Sequence, residues 1–171
     1  MPIEIPDLWG DDIKVDVLPP LVILKAQDGA ISRKTTGILR AEVLTSESEE
    51  PDEDGYHKVV THTLDLTAPA LNYSESVLEV SHDSDRMYPA VVSVPDPIDW
   101  HARSDSPTPL ASGGVLGLMA HSRTVTAHSA DEFMTFLGRA LQSRYTKATI
   151  DSLLAMSNEK RMKSEAPAQA S

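Results

Sequence analysis

Apolar positions near the N-terminus recur at the spacing of a helix. Two consecutive prolines, Pro19 and Pro20, suit a first helical turn. Apolar residues then follow at Leu21, Leu24, Ile31 and Ile38. This pattern predicts a long helix over Leu21–Leu44. Gly29 and Gly37 weaken it by about 1 kcal/mol each relative to alanine, so the helix can break near either glycine.

Helical spacing returns near the C-terminus. Ser129, three residues before Glu132, forms a capping box and predicts a helix over Ala130–Gln142. This helix places one apolar stripe at Phe133, Phe136, Leu137, Ala140 and Leu141. Ser143 then caps a second helix that extends to Ser157.

Between these helices, apolar and polar residues alternate as they do in β-strands. Strands are predicted over Lys58–Thr67, Ser76–His82 and Met87–Val94, and a turn at Asp83–Asp85 joins the second and third as a hairpin. Val115–Met119 and Arg123–Ala127 read as one interrupted strand or a further hairpin. Antiparallel pairing follows most simply from these short connections.

The remaining segments lack a periodic pattern. Thr45–Gly55 is strongly acidic and predicts a solvated loop. Pro95–Gly114 is rich in proline, serine and aspartate and predicts a long loop, which in a compact domain is often functional. The sequence therefore predicts an irregular arm at residues 1–18, a single domain at 19–157 and a flexible tail at 158–171.

Together these elements predict an α+β fold. A long N-terminal helix precedes a mainly antiparallel sheet of four to five strands, and two C-terminal helices pack on it. This order, with helices and strands in separate runs, favours segregated layers over alternating β-α-β units.

Charge and composition narrow the classes of function. The 171-residue chain has a net charge of −11, with 7 basic and 20 acidic residues up to Asp99 and 8 basic and 6 acidic residues after it. Such a charge disfavours direct nucleic-acid binding. The absence of cysteine excludes disulfides and thiol chemistry. No apolar run is long enough to span a membrane and no secretory signal is evident, so we expect a cytoplasmic protein of bacterial type.

Two groups of residues are candidates for binding a partner. The acidic segment contributes Glu49, Glu50, Asp52 and Asp54, and the long loop contributes Asp99, Trp100, His101 and Arg103. Tryptophan and arginine often supply much of the binding energy of an interface, although a tryptophan in a loop can also fold back onto the core.

The histidines offer the main alternative chemistry. His62 and His82 lie on the apolar side of their strands, so their imidazoles approach each other if the strands are neighbours. With Asp83 and possible support from His101, they form a candidate set for a metal- or histidine-dependent hydrolase. The simpler interpretation is two hydrogen-bonded histidines at the edge of the core, and we predict neither a metal site, nor a cofactor, nor catalytic residues.

These observations favour a non-enzymatic binding or assembly protein that acts through protein–protein contacts. Its acidic region suits a basic partner, as in an inhibitor, an immunity protein or a nucleic-acid mimic, or a second copy of the chain in a homo-oligomer. The hydrolase that uses His62, His82 and Asp83 is the second hypothesis. A structural subunit of a larger particle is the third.

Overall fold

The computed structural model of the chain describes residues 17–52, 55–100 and 121–165. Within these ranges the elements follow one another as α1 (Pro20–Lys34), β1 (Arg40–Asp52), β2 (Gly55–Ala68), β3 (Tyr73–Asp83), β4 (Ala90–Asp99), β5 (His121–Ala127), α2 (Ala130–Leu141) and α3 (Arg144–Glu165). A short 3₁₀ turn, Pro69–Leu71, links β2 to β3. This order confirms the predicted α+β class, with one helix before the sheet and two after it.

The strands form a five-stranded antiparallel sheet in which each strand pairs with its neighbours in sequence. β1 and β2 pair along their full length, from Arg40 opposite Thr67 to Asp52 opposite Gly55. β3 accompanies β2 only as far as the pair of Val59 with Asp83. The ends of β1 and β2 therefore project beyond the rest of the sheet as a two-stranded ribbon.

The core lies between the helices and one face of the sheet. In β2 the buried positions alternate from His62 to Ala68, as expected of a strand with one face covered. Each helix contributes to the same core, with Leu24 from α1, Phe133 from α2 and Leu153 from α3. None of the helices that the structure describes is long and apolar enough to cross a membrane.

The N-terminal helix is shorter than predicted. α1 ends at Lys34, and the chain turns through Thr36 and Gly37, which both have positive φ angles (50° and 79°). The Gly37 amide donates to the carbonyl of Ser32 at 2.8 Å, which closes the helix end. The prediction of helix up to Leu44 is therefore wrong, and the break lies beside the second of the two glycines named above.

The acidic segment is a strand, so the prediction of a loop at Thr45–Gly55 is wrong for the described part of that range. β1 continues to Asp52, and its backbone pairs residue by residue with β2. Glutamate has a low intrinsic preference for strands. Here the partner strand, rich in β-branched residues between Val59 and Thr67, supplies a template whose backbone hydrogen bonds outweigh that preference.

The strands at the other side of the sheet also differ in extent from the prediction. β4 begins at Ala90 and continues to Asp99, so the predicted loop at Pro95–Gly114 begins too early. Its prolines lie where the register between β4 and β5 shifts, between Ser93 and Ile98. Proline lacks the amide hydrogen of a strand ladder and is tolerated where the ladder is interrupted. Residues 101–114 of that loop, and the predicted strand segment Val115–Met119, lie outside the described residues.

The C-terminal helices confirm the capping predictions. Ser129 Oγ accepts a hydrogen bond from the Glu132 amide at 3.3 Å, and Glu132 Oε2 accepts one from the His128 amide at 2.8 Å. Ser143 Oγ caps α3 by accepting from the Thr146 amide at 3.2 Å. α3 continues to Glu165, so residues 158–165, expected to belong to a flexible tail, are helical. The last part of that predicted tail lies outside the described residues, as does the predicted arm up to residue 16.

A salt bridge attaches α1 to the start of β1. The Arg40 guanidinium donates to both carboxylate oxygens of Asp28, at 2.8 and 2.6 Å, and the Ala41 amide donates to the same carboxylate at 3.1 Å. These hydrogen bonds favour the charged form and lower the pKa of Asp28 from 3.8 to about 2. The stability they contribute is therefore present above pH ~4 and is lost as the pH falls toward 2.

We expect Asp28→Asn to lower the free energy of unfolding by about 1 kcal/mol at neutral pH, because both partners are partly exposed to solvent and screened. Asparagine keeps an acceptor for the Ala41 amide but loses the charge. Chemical denaturation at a series of pH values checks this. The difference in the free energy of unfolding between wild type and variant should shrink as the pH falls from 5 to 2.5. A difference that stays constant over this range would contradict a stabilising role for the charged Asp28 carboxylate.

Candidate functional site

The first candidate site is the ribbon formed by residues 47–52 of β1 and 55–60 of β2, which we call the acidic ribbon; its outer part, residues 49–52 and 55–58, extends beyond β3. Glu47, Glu49 and Glu50 lie on it and are exposed. Because successive side chains of a strand alternate, Glu47 and Glu49 lie on one face and Glu50 lies on the other. The backbone pairing of β1 with β2 holds these carboxylates at fixed spacings, which a loop would not do.

The carboxylates of the acidic ribbon are not neutralised within the described chain. Ion pairs there join Asp28 with Arg40 and Glu159 with Lys163, and the His57 imidazole lies 3.7 Å from the carboxylate of Asp83. None of these pairs uses the three glutamates, although Glu49 lies opposite Lys58 in the strand register. Within the residues that the structure describes, the ribbon therefore exposes three carboxylates that form none of these ion pairs.

The predicted binding residues of this segment are placed only in part. Glu49 and Glu50 lie on the ribbon, and the backbone of Asp52 forms its last pair, with Gly55. The side chain of Asp52 and all of Asp54 lie outside the described part of the chain. Tyr56, which the sequence analysis did not single out, is 77% exposed next to the carboxylates and adds an aromatic surface. Its signal in the sequence was an aromatic residue two positions after the end of an acidic run.

The second candidate site is the pair of His62 in β2 and His82 in β3. Their Nε2 atoms lie 3.3 Å apart, and the ring centroids are 5.3 Å apart with a tilt of 48°. The sequence prediction that the two imidazoles approach each other on one face is therefore confirmed. The reason is the register: β2 and β3 are neighbours, and His82 pairs with Val60, two positions from His62.

Each imidazole is also held at its other ring nitrogen. His82 Nδ1 lies 2.7 Å from the carbonyl oxygen of Asp83 and 2.9 Å from that of Arg86, so it carries a hydrogen and donates it. His62 Nδ1 lies 2.9 Å from the hydroxyl of Thr45 in β1, which can donate or accept. The pair therefore connects β1, β2 and β3 at the base of the acidic ribbon.

His62 is buried and stays neutral more readily than a free histidine. Only 3% of its surface is exposed. Burial, and after it the charge of His82 and of Lys25, lower the pKa of His62 below its usual value. A neutral imidazole has one bare nitrogen that can accept a hydrogen bond or bind a cation.

Asp83 does not join this pair. Its carboxylate lies 3.7 Å from His57 Nε2. Because Asp83 follows His82 directly in β3, its side chain lies on the opposite face of the sheet. Within the described residues, no three histidine, aspartate or glutamate side chains converge as ligands for a metal ion. The arrangement of His62, His82 and Asp83 expected for a hydrolase is therefore not formed.

The predicted partner residue Trp100 belongs to the core. It is 2% exposed and lies edge-on against Phe136, with ring centroids 5.9 Å apart and an angle of 82°. Its indole nitrogen donates to the carbonyl of Ser122 at 3.0 Å, and its own carbonyl accepts a hydrogen bond from Arg139. Because Trp100 is already buried by residues of its own chain, it is not exposed for direct contact with a partner.

The other three predicted residues of the long loop have different outcomes. Asp99 ends β4, where it pairs with His121 of β5. His101 and Arg103 lie outside the described residues. The sequence placed all four on one loop, whereas the structure assigns the first two to the end of the sheet and to the core.

A cleft between α3 and the 3₁₀ turn is the third candidate site. Its volume is about 290 Å³, and Lys160 and Arg161 lie in its wall with Pro69 and Ala70. Lys160 Nζ donates to the carbonyl of Ala70 at 2.6 Å, so this cation helps to fasten α3 to the turn. Neither member of the histidine pair lines this cleft.

Comparison with protein-family models, with curated proteins and with solved structures finds no significant match.

Proposed function

We propose that this protein is a non-enzymatic binding or assembly protein that docks a basic protein surface on its acidic ribbon. The observation that carries this proposal is the set of three exposed glutamates, Glu47, Glu49 and Glu50, on backbone-paired strands; Glu49 and Glu50 lie where these strands project beyond the sheet, and Glu47 lies at the base of the projection. Preorganised charge costs little ordering on binding, and uncompensated charge steers an oppositely charged partner during encounter.

The spacing of these carboxylates bears on the kind of basic surface that they can complement. Three residue steps separate Glu47 from Glu50, which is about 10 Å at a rise of ~3.4 Å per residue. Only Glu47 and Glu49 share a face, where they are about 7 Å apart, so their spacing is about twice the ~3.4 Å axial spacing of phosphates along one strand of DNA. An inhibitor, an immunity protein or a nucleic-acid mimic would use such an array.

The test is a matched pair of charge-neutralised variants. The ribbon variant carries Glu47→Gln, Glu49→Gln and Glu50→Gln. The control variant carries Glu79→Gln, Asp85→Asn and Asp151→Asn, which removes the same charge from exposed positions outside the ribbon. Binding is measured by titration against a lysine- and arginine-rich peptide, and then against any basic protein that wild type captures from lysate.

We expect the ribbon variant to bind at least tenfold more weakly than wild type, because each partly exposed charge contributes about 0.5–1 kcal/mol. The control should remain within about twofold, and wild-type affinity should fall steeply between low and high salt. Equal losses in both variants, or affinity that does not depend on salt, would refute docking at this ribbon.

Self-association is one form that such an assembly can take. Arg144 and Lys147 on α3 are exposed and can complement the acidic ribbon of a second copy. Native mass measurement separates this case from a different partner. A mass that doubles at low salt, and no longer does so in the ribbon variant, supports a homo-oligomer; a constant monomer mass favours a different protein.

An enzymatic function based on the histidines is the second candidate. The 3.3 Å contact of His62 with His82 is the observation that favours it. Hydrolysis would in addition require a group that activates water and a group that stabilises negative charge. Asp83, the carboxylate expected for this work, lies on the other face, so the first proposal has the stronger support.

A further inference from the structure

The contact between His62 and His82 has the dimensions of half a metal site. A tetrahedral Zn²⁺ ion binds imidazole nitrogens at about 2.0–2.1 Å, which places two such ligands ~3.3–3.4 Å apart. The Nε2 atoms of His62 and His82 are 3.3 Å apart. Without an ion, the same contact is a long hydrogen bond between the two rings.

The outer nitrogens of both rings have the partners that a metal-binding histidine needs. Histidine ligands donate their other ring hydrogen to a carbonyl, a carboxylate or water, which fixes the tautomer that leaves the metal-binding nitrogen bare. His82 Nδ1 donates to the carbonyls of Asp83 and Arg86. His62 Nδ1 can donate to Thr45 Oγ1, at 2.9 Å.

We propose that His62 and His82 bind one divalent transition-metal ion through their Nε2 atoms, with solvent completing the coordination. Without the ion, Thr45 donates to His62 Nδ1, and His62 Nε2–H donates to His82 Nε2. On binding, the hydrogen on His62 moves from Nε2 to Nδ1 and the Thr45 hydroxyl rotates to accept it. Both rings are neutral before and after, so this exchange releases no proton.

Neighbouring charges adjust the affinity of this site. Glu47 lies diagonally across the β1–β2 pair from His62 on the same face, because Glu47 pairs with Val60 and Thr45 with His62. Diagonal neighbours are about 7–8 Å apart, so the Glu47 carboxylate is a nearby negative charge that favours a cation bound at the histidine pair. Lys25 of α1 acts in the opposite sense, since its positive charge disfavours positive charge at His62.

The primary test is a calorimetric titration of the full-length protein with Zn²⁺. Cobalt absorption provides a second readout, because tetrahedral Co²⁺ gives intense visible bands. We expect one equivalent of Zn²⁺ to bind and Mg²⁺ not to compete, since Mg²⁺ prefers oxygen ligands. His62→Gln and His82→Gln should each weaken binding by at least tenfold.

Three further variants make the test specific. His128→Gln, at an exposed histidine next to α2, is the matched control and should bind as wild type does. Thr45→Val removes the acceptor for His62 Nδ1 and should weaken binding about tenfold. Lys25→Gln should strengthen it.

Two results would overturn the proposal. One is that wild type takes up no Zn²⁺ at about 100 µM; the other is that both histidine variants bind as tightly as wild type does. Because His62 is buried, thermal unfolding must show that its variant is folded. If it is not, the partly exposed His82 provides the decisive variant.

Discussion

Replacing Trp100 with alanine is expected to lower the free energy of unfolding by about 3–5 kcal/mol, since a large buried aromatic ring is removed and a cavity is left behind. The ring packs edge-on against Phe136, and its indole hydrogen satisfies the carbonyl of Ser122. Both interactions join the end of β4 to elements that follow much later in the chain. Chemical denaturation of purified wild type and variant measures the loss.

Trp100→Phe separates the two contributions. Phenylalanine keeps an aromatic contact with Phe136 but leaves the Ser122 carbonyl without its donor, so we expect a loss of about 1–3 kcal/mol. A Trp100→Ala protein that is as stable as wild type but fails to capture a partner would contradict the core assignment. It would return Trp100 to the partner surface that its sequence context predicts.

Phe133→Ala is expected to have an effect of similar size, about 3–5 kcal/mol. Phe133 is completely buried at the centre of the stripe by which α2 packs on the sheet, and its ring lies 6.5 Å from that of Tyr88. For a domain of about 150 residues, such a loss lowers the melting temperature by roughly 6–20 °C. Differential scanning calorimetry measures this shift.

The adjacent residue provides the matched control. Met134 lies on the same helix but is 42% exposed. Met134→Ala should change stability by less than about 1 kcal/mol, because surface substitutions that remove no buried contact have small effects. Similar melting temperatures for the two variants would show that α2 does not pack by the stripe described here.

The two aromatic residues differ in how far sequence reasoning could place them. Phe133 lies four residues after a serine cap and at helical spacing from the other apolar residues of α2, so its burial was predictable from local pattern alone. Trp100 stands next to a segment rich in proline and serine, where no periodic pattern indicates a buried side. Its burial depends on contacts with Phe136 and Ser122, which no local rule brings near.

In the acidic ribbon and in the histidine pair, too, local sequence pattern predicts one part of the arrangement and long-range contacts determine the other. The charge of Glu49 and Glu50 was visible in the sequence, but the segment's own composition indicated a loop. It is a strand because β2 pairs with it along its whole length. For His62 and His82, alternation predicted which side of each strand they occupy, but only the register of β2 against β3 determines the 3.3 Å contact.

Local signals were enough to predict part of this fold. That part comprises the two capped C-terminal helices, the alternating part of β2 and the α+β order of the chain, because periodicity and capping act within a few residues. Contacts between distant parts of the chain were needed to establish that β1 is a strand, that Trp100 is buried and that Thr45 contacts His62. Each of these depends on backbone pairing or packing between residues distant in sequence, where the gain from a partner outweighs local preference.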